Sequence, residues 1–217
     1  MTSQTDSLLK DAVLAELNWE PSVTAAHIGV TARDGVVTLS GHVRRFAEKQ
    51  EAQAAALRVK GVNAVAEEIE VKLPSDSQWS DDDIAKAALN RLDGDSTVPK
   101  KAIKVAVQDG FVTLTGEVDW HFEQNAAEQD IRLLWGVVGV SNQIALKSRV
   151  NTQNLTSDIS KALHRSWFEP DRVKVASDGG KVTLTGSVKS WRERELAAST
   201  AWAAPGATDV TNELVIS

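Results

Sequence analysis

The chain has 217 residues, 42% of them hydrophobic and 25% charged, with a formal net charge of −6 and no cysteine. The composition is that of an ordinary folded chain. Without cysteine there are no disulfides, thiolate chemistry or zinc–thiolate sites, and the acidic balance removes any global pull toward nucleic acid or an anionic membrane.

The acid is unevenly spread. Residues 75–150 hold 8 basic and 12 acidic side chains, whereas residues 151–217 hold 8 of each. The N-terminal MTSQTDSLLK has neither a basic n-region nor an apolar run, so it does not read as a signal peptide. No apolar run approaches the ~18 residues of a membrane span. The expectation is a cytoplasmic protein, periplasmic only if a leader was removed.

Three strings recur: VVTLSGHV at 36–43, FVTLTGEV at 111–118 and KVTLTGSV at 181–188. Each contains a glycine (Gly41, Gly116, Gly186), and twenty residues later another follows (Gly61, Gly136, Gly206). The repeat distances of 75 and 70 residues exceed solenoid periods. The reading is three tandem domains, at 1–74, 75–150 and 151–217.

Each unit opens with an amphipathic helix. Leu9, Val13 and Leu17 fall on one face in the first, Ile84, Ala88 and Leu92 in the second, Ile159 and Leu163 in the third. Ser80 reads as an N-cap, with Asp81, Asp82 and Asp83 complementing the helix dipole. An alternating strand follows, exemplified by Ile28, Val30 and Ala32. Asp34-Gly35, Asp109-Gly110 and Asp178-Gly179-Gly180 are hairpin turns. The second strand is the Val-Thr-Leu string, with Gly41 on its inward side, where the first helix is expected to cross closely. An alanine-rich helix comes next, over 44–59, 119–135 and 189–203, stopped by the downstream glycine. A last strand, such as Ile69, Val71 and Leu73, closes the unit parallel to the second. The fold class is α+β: three αββαβ modules, each a three-stranded mixed sheet with both helices on one face.

The Val37-Thr38-Leu39-Ser40-Gly41-His42-Val43 string with Gly61-Val62, and its counterparts Val112–Val118 with Gly136-Val137 and Val182–Val188 with Gly206, resemble the BON domain, an OsmY-like, transport-associated and nodulation module. The third copy departs from the pattern with Ala207 in place of valine. The resemblance covers nearly the whole chain. It implies the αββαβ fold, association with osmotic stress, and phospholipid binding without an enzymatic activity of the module.

Nothing in the chain nominates a nucleophile, metal site or cofactor. His27, His42, His121 and His164 neither repeat between units nor fall at ligand spacing. The acidic run 81–83 lacks the glycine and spaced Glu of a calcium loop. Lys100, Lys101 and Lys104, like Arg192 and Arg194, read as ordinary charged faces, and nucleic acid is not an expected partner. Tryptophan is the unusual residue, seven copies without a tyrosine. Domain-edge packing is the plain explanation. The alternative is an apolar tip at the lipid headgroup level, where indole prefers to sit. Candidate lipid or partner contacts are Trp167 and Phe168, then Trp19, because the last unit has least acid to repel an anionic surface. The expected function is non-catalytic, stress-associated binding at a phospholipid membrane surface. The alternatives are a protein-interaction or chaperone-like adaptor, and potassium-ion sensing.

Overall fold

Alternating strand patterns and helical apolar stripes dictate the element order of the computed structural model, which describes residues 2–73, 79–147, 154–165 and 172–216. The first repeat comprises α1 (Thr2–Trp19), β1 (Ile28–Arg33), β2 (Val36–Val43), α2 (Phe46–Arg58) and β3 (Ala64–Val71). The second comprises α3 (Asp81–Gly94), β4 (Ile103–Gln108), β5 (Phe111–Val118), α4 (His121–Arg132) and β6 (Gly139–Leu146). The third comprises α5 (Leu155–Arg165), β7 (Val173–Asp178), β8 (Lys181–Val188), α6 (Trp191–Trp202) and β9 (Asp209–Ile216). The sheets run β1-β2-β3, β4-β5-β6 and β7-β8-β9. The expected α+β architecture of three αββαβ modules is the one observed. Two compact units partition the chain, Met1–Asp95 with Val105–Leu114 and Glu128–Asn142 in one, and the remainder in the other, so the division passes through the second repeat.

In the first repeat β1 pairs antiparallel with β2, placing Ile28 opposite Gly41, and β2 pairs parallel with β3, placing Gly41 opposite Ile69. The third repeats this with Val173, Gly186 and Leu214. Asp34 and Gly35 both take positive φ, 50° and 80°, which suits the right-handed twist of a two-residue hairpin. Val13 and Leu17 of α1 and Ala52, Ala55 and Ala56 of α2 share one core with Val30, Val37, Leu39, Val43 and Ile69. Both helices therefore cover the same sheet face. The alanines keep α2 close to the strands.

Two expectations are corrected. The backbone, not the first helix, crowds Gly41: a Cβ there would lie 2.1 Å from the His27 carbonyl oxygen. The chain entering β1 needs that space. Gly116 and Gly186 face the Ala102 and Arg172 carbonyls in the same way. The second helices are also shorter than expected, ending at Arg58, Arg132 and Trp202. The downstream glycines, all at positive φ, sit in the turn beyond rather than directly behind the helix.

The acidic run at α3 does more than meet the helix dipole. Ser80 and Asp83 form a reciprocal capping box, and the two hydrogen bonds from Ser80 hold the Asp83 carboxyl below its ordinary range. Asp81 instead reaches the β4–β5 hairpin, accepting from Asp109 N at 2.8 Å and Gly110 N at 2.9 Å. Asp6 does the same toward Asp34 N at 3.0 Å. Asp81→Ala is expected to lower stability by about 1.5 kcal/mol, since two turn amides lose a charged acceptor. Asp82→Ala, which removes only an exposed pair with Lys86, stays within about 0.5 kcal/mol of the parent. Urea denaturation of the two variants compares them, and equal midpoints would contradict the hairpin role.

Candidate functional site

The polar side chains that recur in all three repeats are taken up by structure. Seven residues past each motif glycine stands a glutamate. Glu48 accepts from Thr24 N and Arg44 N, Glu123 from Asp119 N and Trp120 N, and Glu193 from Lys189 N. Each ties the entry of the second helix to the backbone before it. One residue on, Lys49, Gln124 and Arg194 donate to the carbonyls of Ile69, Ile144 and Leu214, at 2.7, 2.7 and 3.1 Å. This latch joins the second helix to the last strand. The sequence reading missed both devices. The glutamate was detectable by its fixed spacing, but the latch is spelled by three different residue types.

Among the described residues, no three His, Cys, Asp or Glu side chains group to hold a metal ion. His27 stacks on His42 with ring centroids 4.8 Å apart. His121 stacks nearly flat on Trp202 at 3.9 Å. Several large apolar side chains are exposed among the described residues. Trp19, the last residue of α1, is 83% exposed, the most of any large hydrophobic side chain described. Of the acids near it in the chain, Glu16 and Glu20 both pair with the Arg58 guanidinium, at 2.9 and 2.8 Å. The Ser22 hydroxyl and Arg58 together hold the Glu20 carboxyl below its ordinary value. The acid flanking Trp19 thus has a cation among it. Trp167 and Phe168 lie outside the described residues. Phe122, which the sequence reading did not single out, is 56% exposed and stacks at 6.3 Å with Trp120.

Trp135 is half-exposed and is met by a residue of the first repeat. Arg45 of the first repeat donates to the Leu133 carbonyl of the second at 2.8 Å and lies 4.5 Å over the Trp135 ring. In the third repeat a groove of about 560 Å³ runs between α5 and α6, lined by Asp158, Ala162, Arg165, Ser199 and Ala203 among others.

Comparison with known proteins accords with the repeat. The chain is 30% identical over 146 residues to the osmotically-inducible protein Y of Escherichia coli (strain K12), an overlap of 65% of this chain and 73% of that protein. Among solved structures, CdsD, a structural protein of the type III secretion system of Chlamydia trachomatis, is similar at 16% identity and a TM-score of 0.28, covering 95% of this chain and 91% of that one. A second structure, of the CdsD C-terminal domain, gives the same identity and TM-score over 96% and 97%. The model of the BON domain matches residues 5–72, 80–148 and 151–217. The chain belongs to the BON domain family, with three copies in tandem.

Proposed function

We propose that this chain is a non-catalytic, osmotic-stress-associated protein whose BON modules bind phospholipid headgroups at a membrane surface. The observation that carries the reading is Trp19, a largely exposed indole at the end of a helix, with Arg58 paired to the neighbouring Glu16 and Glu20. Such an indole gains by moving into the headgroup layer, and the neighbouring cation reduces the repulsion that Glu16 and Glu20 would exert on anionic lipid. Membership of the BON family and likeness to an osmotically inducible protein support both halves of the reading. Binding is peripheral on this account. Among the described residues no helix is long and apolar enough to cross a membrane.

Brominated phospholipids quench tryptophan only on contact, so they test the site itself. On anionic vesicles the intact chain is expected to be quenched, and Trp19→Phe to lose roughly half of that quenching or more, Phe being a weaker interfacial anchor. Quenching equal in both proteins would remove Trp19 from the contact. The groove between α5 and α6 favours a second reading, a protein-interaction adaptor that receives a partner segment there. That reading predicts partner capture with no vesicle affinity.

A further inference from the structure

Tandem homologous modules face a pairing problem that a single module does not. Nine residues, 72–80, join β3 to α3, a reach of up to about 30 Å. The first repeat's sheet and α2 could therefore be capped by α3 in place of α1, giving a frame-shifted ββαβα module. The apolar faces prevent this only in part, through the buried Val13 of one helix against the buried Ala88 of the other. Leu9, Val13 and Leu17 of α1 correspond to Ile84, Ala88 and Leu92 of α3. The hairpin anchors do not prevent it, because Asp6 and Asp81 make the same kind of contact to the hairpin of their own repeat.

The far ends of the helices differ. In the first repeat the first helix carries the acid and the second the base: Glu16 pairs with Arg58 at 2.9 Å, and Glu20 adds a bond at 2.8 Å. In the second repeat the signs are reversed. Arg91, at the position of Glu16, pairs with Asp130 of α4 at 2.7 Å. Asp130 is 7% exposed and its Oδ2 has no hydrogen-bond partner, so Arg91 is what compensates a charge already taken out of water. At the position of Asp130 the first repeat has Ala55, and at that of Arg58 the second has Leu133.

We propose that these reversed ion pairs are a pairing code that assigns α1 and α3 to their own repeats and disfavours frame-shifted or intermolecularly swapped assembly of the first two. Exchanging α1 for α3 sets Arg91 against Arg58 in one module. In the other it sets Glu16 against the buried Asp130, a like-charge contact with no compensating cation. The correct pairing wins by the difference between attraction in one arrangement and repulsion in the other, which is how specificity arises when shapes are similar. Each pair alone adds little stability. The code acts on the choice between states.

The test uses the full chain, refolded from urea over a range of protein concentrations and resolved by size-exclusion chromatography with light scattering. Arg91→Glu/Asp130→Ala/Leu133→Arg gives the second repeat the charge arrangement of the first. Glu16→Gln/Arg91→Gln/Asp130→Asn erases the code without adding charge and serves if the first variant does not fold. Asp6→Ala loosens a helix anchor but leaves the code intact. Dimers and other misassembled species are expected to rise roughly three- to tenfold in the recoded and erased chains relative to the parent, and not in the Asp6→Ala control. Refolding of the erased chain as cleanly as the parent would overturn the proposal. So would an equal rise in the Asp6→Ala control, which would mean that destabilisation alone causes the misassembly.

Discussion

Gly41→Ala is expected to cost the first repeat about 2–5 kcal/mol, a large share of its stability. The residue holds φ at 117°, and an added Cβ would lie 2.1 Å from the His27 carbonyl oxygen. A carbonyl fixed at the entry to a strand cannot turn aside as a flexible side chain can. The left-handed backbone costs an L-residue about 1–2 kcal/mol, and forcing the strands apart adds about 1–3 kcal/mol more. A module of about 70 residues has only about 3.5–10 kcal/mol of stability in all. Urea denaturation of the variant followed by circular dichroism should show the helical signal of one repeat lost at a clearly lower midpoint than in the parent. Gly94→Ala is the control: its φ is not positive and nothing lies within 4 Å of the added carbon, so it should leave the urea midpoint unchanged or raise it slightly. A Gly41→Ala chain with the parent's urea midpoint would contradict the close approach.

Leu184→Ala tests the energetic organisation. Leu184 is completely buried in a cluster with Ile159, Leu163, Val182, Ala197, Ala201 and Leu214. Its truncation is expected to cost about 3 kcal/mol, from lost transfer energy and the cavity left behind. We propose that the three repeats, 1–74, 75–150 and 151–217, are separate folding domains. On that reading hydrogen exchange accelerates through β7, β8 and β9 while β1, β2 and β3 keep their protection. Uniform acceleration along the chain would mean that the repeats unfold as one.

The modules were legible in the sequence because their signals are local and repeated. Alternation in Ile28–Arg33 and Val36–Val43, the Asp34-Gly35 turn and the helical spacing of Leu9, Val13 and Leu17 each dictate an element without help from distant residues. What was misread depended on neighbours far along the chain. Gly41 declares that space is short, but not that the His27 carbonyl occupies it. Asp81 is indistinguishable from Asp82 and Asp83 in a helix N-terminus until the hairpin 28 residues on is folded beside it. Lys49, Gln124 and Arg194 perform one task with three chemistries, so no motif marks them. Among the exposed aromatics, Trp19 stood out in the sequence as an indole closing a helix before Glu20-Pro21, though sequence alone did not show that it is uncovered. Phe122 gave no comparable signal.

Membrane-surface binding is tested most directly by co-sedimentation of the intact chain with vesicles of anionic and of neutral phospholipid, at low and moderate salt, with tryptophan emission recorded on the same samples. Pelleting and a blue shift are expected on the anionic vesicles, both weakened by salt as the charge component is screened. A chain that stays in the supernatant with unshifted emission under every condition would contradict it.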